Sequence, residues 1–172
     1  MHCLKIDEHR ILKHAIYTLI NCLSCDDPEI TVAMVRDMHL LKEVRNLFIK
    51  FDSVDEIKGH LLLMVSNVPI KHQHVLDLFT EHVLDYVIGL ICAEKLRIRL
   101  EALSALNQFL RVSSRVHVRR AVEMKALERL RTQMHFTDQR ILLTSLECLE
   151  YILKAGEKDV EDGNTLINVY WS

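Results

Sequence analysis

Apolar residues recur down this chain in four columns. Ile11, Ile57, Ile98 and Ile141 form the first, and Ile16, Leu62, Leu103 and Leu146 the second. Leu19, Val65, Leu106 and Leu149 form the third, and Cys22, Val68, Phe109 and Ile152 the fourth. The copies are displaced by 46, 41 and 43 residues, and within each copy the spacing i, i+5, i+8, i+11 keeps one face of an α-helix apolar. The preceding segments repeat with them: Leu41, Leu84 and Leu127 align, as do Val44, Val87 and Leu130, then Phe48, Ile91 and Met134, with Val32, Val75 and Val118 further upstream. The pattern predicts three helices per copy, over 28–37, 39–50 and 53–68, then 71–80, 82–92 and 95–111, then 114–122, 124–134 and 137–154. Residues 1–25 supply only the last helix of an earlier copy.

Capping chemistry agrees with these boundaries. Asp26 and Asp27 before Pro28 suit a helix start, because a proline at the first helical position loses no needed N–H donor. Ser53-Val-Asp-Glu56 reads as a capping box, Thr137 as an N-cap, and Pro69 as the end of the helix reaching Val68. Beyond Lys154 the periodicity stops. Gly156 to Gly163 is acidic and glycine-punctuated, so 155–172 reads as an acidic tail after a helix stop, its Val169, Tyr170 and Trp171 either capping the last copy or staying unfolded.

Helical repeats of about 40–47 residues are the signature of armadillo and HEAT solenoids, and three helices per unit favour the armadillo type. The expected fold is therefore all-α: a right-handed superhelix with a lead-in helix in 1–25 and units at 28–68, 71–111 and 114–154. A solenoid that starts on a lone third helix leaves an apolar flank at that end, to be covered by a partner, a second copy or further chain.

Composition narrows the function. With 172 residues, 49% of them apolar, the chain can bury a continuous core, and four glycines with two prolines leave little room for hairpins. A net charge of −2 gives no global pull toward nucleic acid or membrane, no apolar run approaches the length of a membrane span, and no secretory leader is evident, so a cytoplasmic or nuclear setting is expected. Five cysteines scattered over helices do not make a disulfide framework, and Cys22-Leu-Ser-Cys25 lacks the second pair that a zinc site needs. The ten histidines show no metalloprotease spacing, and no nucleophile, base and orienting group come together, so the expectation is no metal, no cofactor and no catalysis.

The binding surface is expected on the third helices, which line the concave side of an armadillo solenoid. Their outward columns are Tyr17, Leu63, Ser104 and Glu147, then Asn21, Asn67, Gln108 and Tyr151, flanked by His14, His60, Glu101 and Thr144. Residues four apart share a helical face, so Tyr17 and Asn21 project together. An Asn amide can grip both N–H and C=O of an extended peptide, while an aromatic face beside it receives a Lys or its aliphatic stem.

These residues resemble importin-α, the nuclear-import adaptor, whose third helices carry a Trp-x-x-x-Asn ladder for basic nuclear-localisation peptides. Asn21 and Asn67 match the ladder Asn, and Tyr17 stands in the Trp place. The segment Thr137 to Glu157, containing Leu149-Glu-Tyr-Ile-Leu-Lys-Ala-Gly-Glu157, and the following Gly163-Asn-Thr and Asn168-Val-Tyr170 are similar to the penultimate repeat of that family. The resemblance implies protein or peptide partners, among them localisation-signal cargo and transport factors. The departures are specific: no Trp holds a ladder position, and Ser104, Gln108, Glu147 and Tyr151 replace the ladder in the last two units. The family's glycine between first and second helices is missing at all three junctions, as are its autoinhibitory arm and its final repeat, which fits a shortened, diverged relative.

Charge offers a second surface. Residues 94–131 hold ten Lys or Arg against four Glu, a local +6, and Arg111, Arg115, Arg119 and Arg120 would be its centre. The alternative reading is a scaffold unrelated to transport that meets an acidic partner through this stripe. Nucleic acid fits less well, because no aromatic residues interleave with the basic ones as stacking platforms.

Overall fold

The computed structural model describes residues 9–24, 27–68 and 73–161, and those residues form a stack of ten helices. A lead-in helix α1 (His9–Leu23) is followed by three triplets. They are α2 (Pro28–Arg36), α3 (Leu40–Lys50) and α4 (Asp55–Ser66); α5 (Gln73–His82), α6 (Leu84–Leu90) and α7 (Leu96–Val112); and α8 (Arg115–Glu123), α9 (Ala126–Gln133) and α10 (Gln139–Glu161). α1, α4, α7 and α10 pack side by side in one row, while α2, α5 and α8 form a second row behind it. Each α3-type helix ties its own triplet together: α3 lies on α4, α6 on α7 and α9 on α10.

One apolar core runs the length of the stack. Its aromatic joints link neighbouring helices: Phe48 stacks on Tyr86 at 5.4 Å, and Phe79 on Phe109 at 5.1 Å. Burial corrects the register of the first copy. Leu12, not Ile11, is the counterpart of buried Ile57, Ile98 and Ile141, and Ile11 is 41% exposed. With that one-residue slip Leu12, Ile16, Ile20 and Leu23 line the core of α1, and Cys22 lies exposed. The cause is helical rotation: one residue turns a side chain by about 100°, enough to carry Ile11 off the inward face.

Leu146 departs from its column for a different reason. It is 54% exposed where Leu103 is fully buried, because α10 covers that face of α7 and no described helix covers the same face of α10.

The helix ends follow local chemistry, with some changes from expectation. Asp27 caps α2, its Oδ1 accepting from the Glu29 N–H at 2.9 Å. The expected box at Ser53 does not form: α4 begins after Val54, which makes no side-chain cap bond. Asp138 replaces Thr137 at the start of α10, accepting from the Arg140 N–H at 2.9 Å, and the Arg140 guanidinium bonded to it pulls its carboxyl down to about 2. Gly156 does not stop α10, which runs on to Glu161. Pro69, Cys25 and the Val169 to Trp171 segment lie outside the described residues.

The missing junction glycines leave a mark. His39 before α3 and Lys125 before α9 adopt left-handed backbone, with φ of 52° and 69°. A side chain in that region costs about 1–2 kcal/mol, and glycine returns about 0.4–1 of this through its freer unfolded chain. Lys125→Gly is expected to raise the unfolding free energy by about 0.5–1 kcal/mol in urea titrations. A lower stability would show that the turn is not strained.

Candidate functional site

The first and second helices cover one side of the α1–α4–α7–α10 row, leaving the other side open. Between α7 and α10 this open side holds a cavity of about 260 Å³, lined by Ser104, Asn107, Gln108, Arg111, Thr144 and Glu147. Ser104, Asn107, Gln108 and Arg111 fall at i, i+3, i+4 and i+7, so a single face of α7 supplies them. Asn107 Nδ2 donates to Glu147 Oε2 at 2.8 Å, which pins the carboxylate against α7 and uses one of its four lone-pair sites. Glu101, one turn before Ala105 on α7, is half-buried, and burial pushes its carboxyl above the usual carboxylate range while Arg97 pulls it back.

At the other end of the row Tyr17 and His60 meet. The Tyr17 hydroxyl lies 2.8 Å from His60 Nε2, and the rings stand edge to face with centroids 4.9 Å apart. His60 is only 2% exposed, and burial lowers its pKa, which holds the ring neutral at neutral pH. Asn67 closes α4: its Nδ2 donates to the Leu63 carbonyl at 2.7 Å and its Oδ1 accepts from Ser24 Oγ at 3.2 Å. Asn21 is exposed on α1, whereas Leu63 and Tyr151 are half-buried against the core.

Solved structures share this architecture. An engineered protein matches over 95% of this chain and 66% of its own, with a TM-score of 0.79 at 17% identity. A designed armadillo repeat protein in complex with the peptide (KR)4 matches over 88% of this chain and 62% of its own, with a TM-score of 0.79 at 15% identity. Computationally designed armadillo repeat proteins for modular peptide recognition give a TM-score of 0.78 at 14% identity, over 95% of this chain and 69% of theirs. The fold is an armadillo solenoid. No family model matches the sequence, and no curated protein matches it. The chain spans just under two thirds of the first of these structures and of the one bound to (KR)4.

In armadillo terms α1, α4, α7 and α10 are the third helices, and the open side is the groove. Ser104, Gln108 and Glu147, expected in the groove from sequence, come together in its cavity with Thr144. Tyr17 and Asn67 are instead joined to neighbouring helices by His60 and Ser24, and the corrected register aligns Tyr17 with Leu62 rather than Leu63. Asn107 joins Ser104, Gln108 and Glu147 from outside the expected columns, on the same face of α7 three residues after Ser104.

The basic stripe does not form one surface. Arg111 belongs to the groove cavity. Arg119 and Arg120 line a separate cavity of about 580 Å³ between α5 and α8 with Asp77, Glu81 and Glu123, and Arg120 pairs with Glu123 at 2.9 Å. Arg99, Arg115 and Arg129 donate to the backbone carbonyls of Ala93, Lys158 and Gly89. The helical period separates these residues, because a run of charges along a sequence turns around each helix that carries it.

Cysteine reactivity gives an independent check on α10. Cys148 is fully buried, and burial, helped by the Glu147 charge, pushes its thiol up to about 12, while Cys22 and Cys92 are exposed. Iodoacetamide at mildly alkaline pH is expected to modify Cys22 and Cys92 in the folded protein and to reach Cys148 only after denaturation, read by peptide mass spectrometry. Equal labelling of Cys148 in the folded state would contradict this packing.

Proposed function

We propose that this armadillo solenoid is a non-catalytic binding module whose groove holds an extended segment of a partner protein, with a Lys or Arg of that segment at Glu147. The observation that carries the reading is the Asn107–Glu147 pair inside the α7–α10 cavity. A carboxylate already pinned by an amide loses little freedom on meeting a cation, and the amide groups of Asn107 and Gln108 beside it can exchange hydrogen bonds with a peptide backbone. The complex of a designed armadillo protein with (KR)4 supports the same mode of use for this fold. The finer reading is that the segment is a nuclear-localisation peptide and that the protein serves import between cytoplasm and nucleus. That step rests on the importin-α-like segment Thr137 to Glu157 and on Asn21 and Asn67.

The test is fluorescence anisotropy with a labelled lysine-rich localisation peptide and a Gly/Ser peptide of equal length as control. The wild type is expected to bind the basic peptide with micromolar affinity, and Asn107→Ala with Glu147→Ala to weaken it at least about tenfold, or about 1.4 kcal/mol. Binding unchanged in the double variant would remove the groove from the reading. Binding lost in Arg119→Glu with Arg120→Glu, and kept in the groove variant, would move the site to the α5–α8 side.

A further inference from the structure

We infer that the segment held in this groove sets a basic side chain at Glu147 and an acidic one at Arg111, so that among Lys- or Arg-bearing segments the groove prefers one whose basic residues alternate with acidic ones over one whose charges are all basic. The inference rests on the groove reading above and names its ligand more closely. Arg111 and Glu147 line the same cavity of about 260 Å³, yet they form no ion pair with each other. Among the described residues Arg111 makes no hydrogen bond or ion pair at all, while Arg99, Arg115, Arg120 and Arg129 spend theirs on this chain's own carbonyls or on Glu123. Arg111 therefore brings to this cavity a guanidinium that no other described residue engages.

Its position sets the spacing. Glu147 is held at Asn107, and Arg111 follows Asn107 by four residues on α7, about 6 Å along the helix axis. The groove runs across the row of third helices, so that 6 Å lies across its width. An extended segment following the groove points successive side chains to opposite sides. One side then meets the Glu147 carboxylate and the next meets the Arg111 guanidinium, with the Ser104 and Thr144 hydroxyls around them as further donors. A uniformly basic segment would set a like charge at Arg111, which selects against it.

The experiment compares labelled (KE)4 and (KR)4 peptides by fluorescence anisotropy at physiological salt, against the wild type and Arg111→Glu, with circular dichroism to confirm that the exposed substitution leaves the helices intact. The wild type is expected to bind (KE)4 at least about tenfold tighter than (KR)4. Arg111→Glu is expected to reverse the order, and Arg111→Gln to narrow the gap. Equal or tighter binding of (KR)4 by the wild type, or an order unmoved by Arg111→Glu, overturns the inference. If (KR)4 binds without preference and Asn107→Ala with Glu147→Ala abolishes it, the charge alternation alone falls. If neither peptide binds the wild type at about 1 mM, the groove reading falls and takes this inference with it.

Discussion

Phe109→Ala is expected to lower the unfolding free energy by about 3–5 kcal/mol, the range for emptying a fully buried aromatic site. Phe109 is 0% exposed near the end of α7. Its ring stacks on Phe79 of α5 at 5.1 Å and receives the edge of His117 of α8 at 6.3 Å. One side chain therefore joins a third helix to the first helices of its own unit and the next. Its loss would leave a void that helices fixed on several sides cannot close, and would also loosen His117, whose ring nitrogens lie 2.8 Å from Ser114 Oγ and 2.9 Å from Asp77 Oδ1. Against a total stability of about 5–15 kcal/mol this is a large fraction. Denaturant titration followed by circular dichroism reads it directly, and a loss below about 1 kcal/mol would mean that the aromatic joint is not formed.

Leu103→Ala and Leu146→Ala form the second prediction, because the two residues hold the same place in successive units. Leu103 is fully buried between α7 and α10, so its truncation is expected to cost about 2–5 kcal/mol. Leu146 is 54% exposed on the uncovered face of α10, so the same substitution is expected to cost less than about 1 kcal/mol. The comparison holds residue type, helix type and register constant and changes only the presence of a covering helix. Equal losses at the two positions would mean that α10 is covered in solution by something beyond the described residues. A near-neutral Leu103→Ala would mean that α7 and α10 do not pack as found.

That Ser104, Gln108 and Glu147 share a side of the helix row is legible in the chain, because period and column are local properties, and they line one cavity together with Thr144 from a neighbouring column. Tyr17 and Asn67 hold ladder positions in the sequence, and Asn67 is also a residue type suited to a helix end; whether a polar side chain is free depends on what stands opposite it. For Tyr17 that is His60 from another helix, and for Asn67 it is Ser24 together with the last turn of its own helix. Arg111 shows the reverse. It looked like one member of a basic stripe, and only the fold separates it from Arg119 and Arg120.

What the sequence by itself determined is the repeat: a helical period, three helices per unit, and a core face that recurs from Ile57 through Ile98 to Ile141. These are local quantities, since amphipathic spacing and helix breaks act within one or two turns. The tertiary structure alone decided the one-residue slip that buries Leu12 and exposes Ile11, the exposure of Leu146, and the pairing of Asn107 with Glu147 beside an Arg111 that pairs with none of the described residues. Each of those depends on which helix lies opposite and at what rotation. In a solenoid that information resides in the neighbouring unit, about forty residues away along the chain.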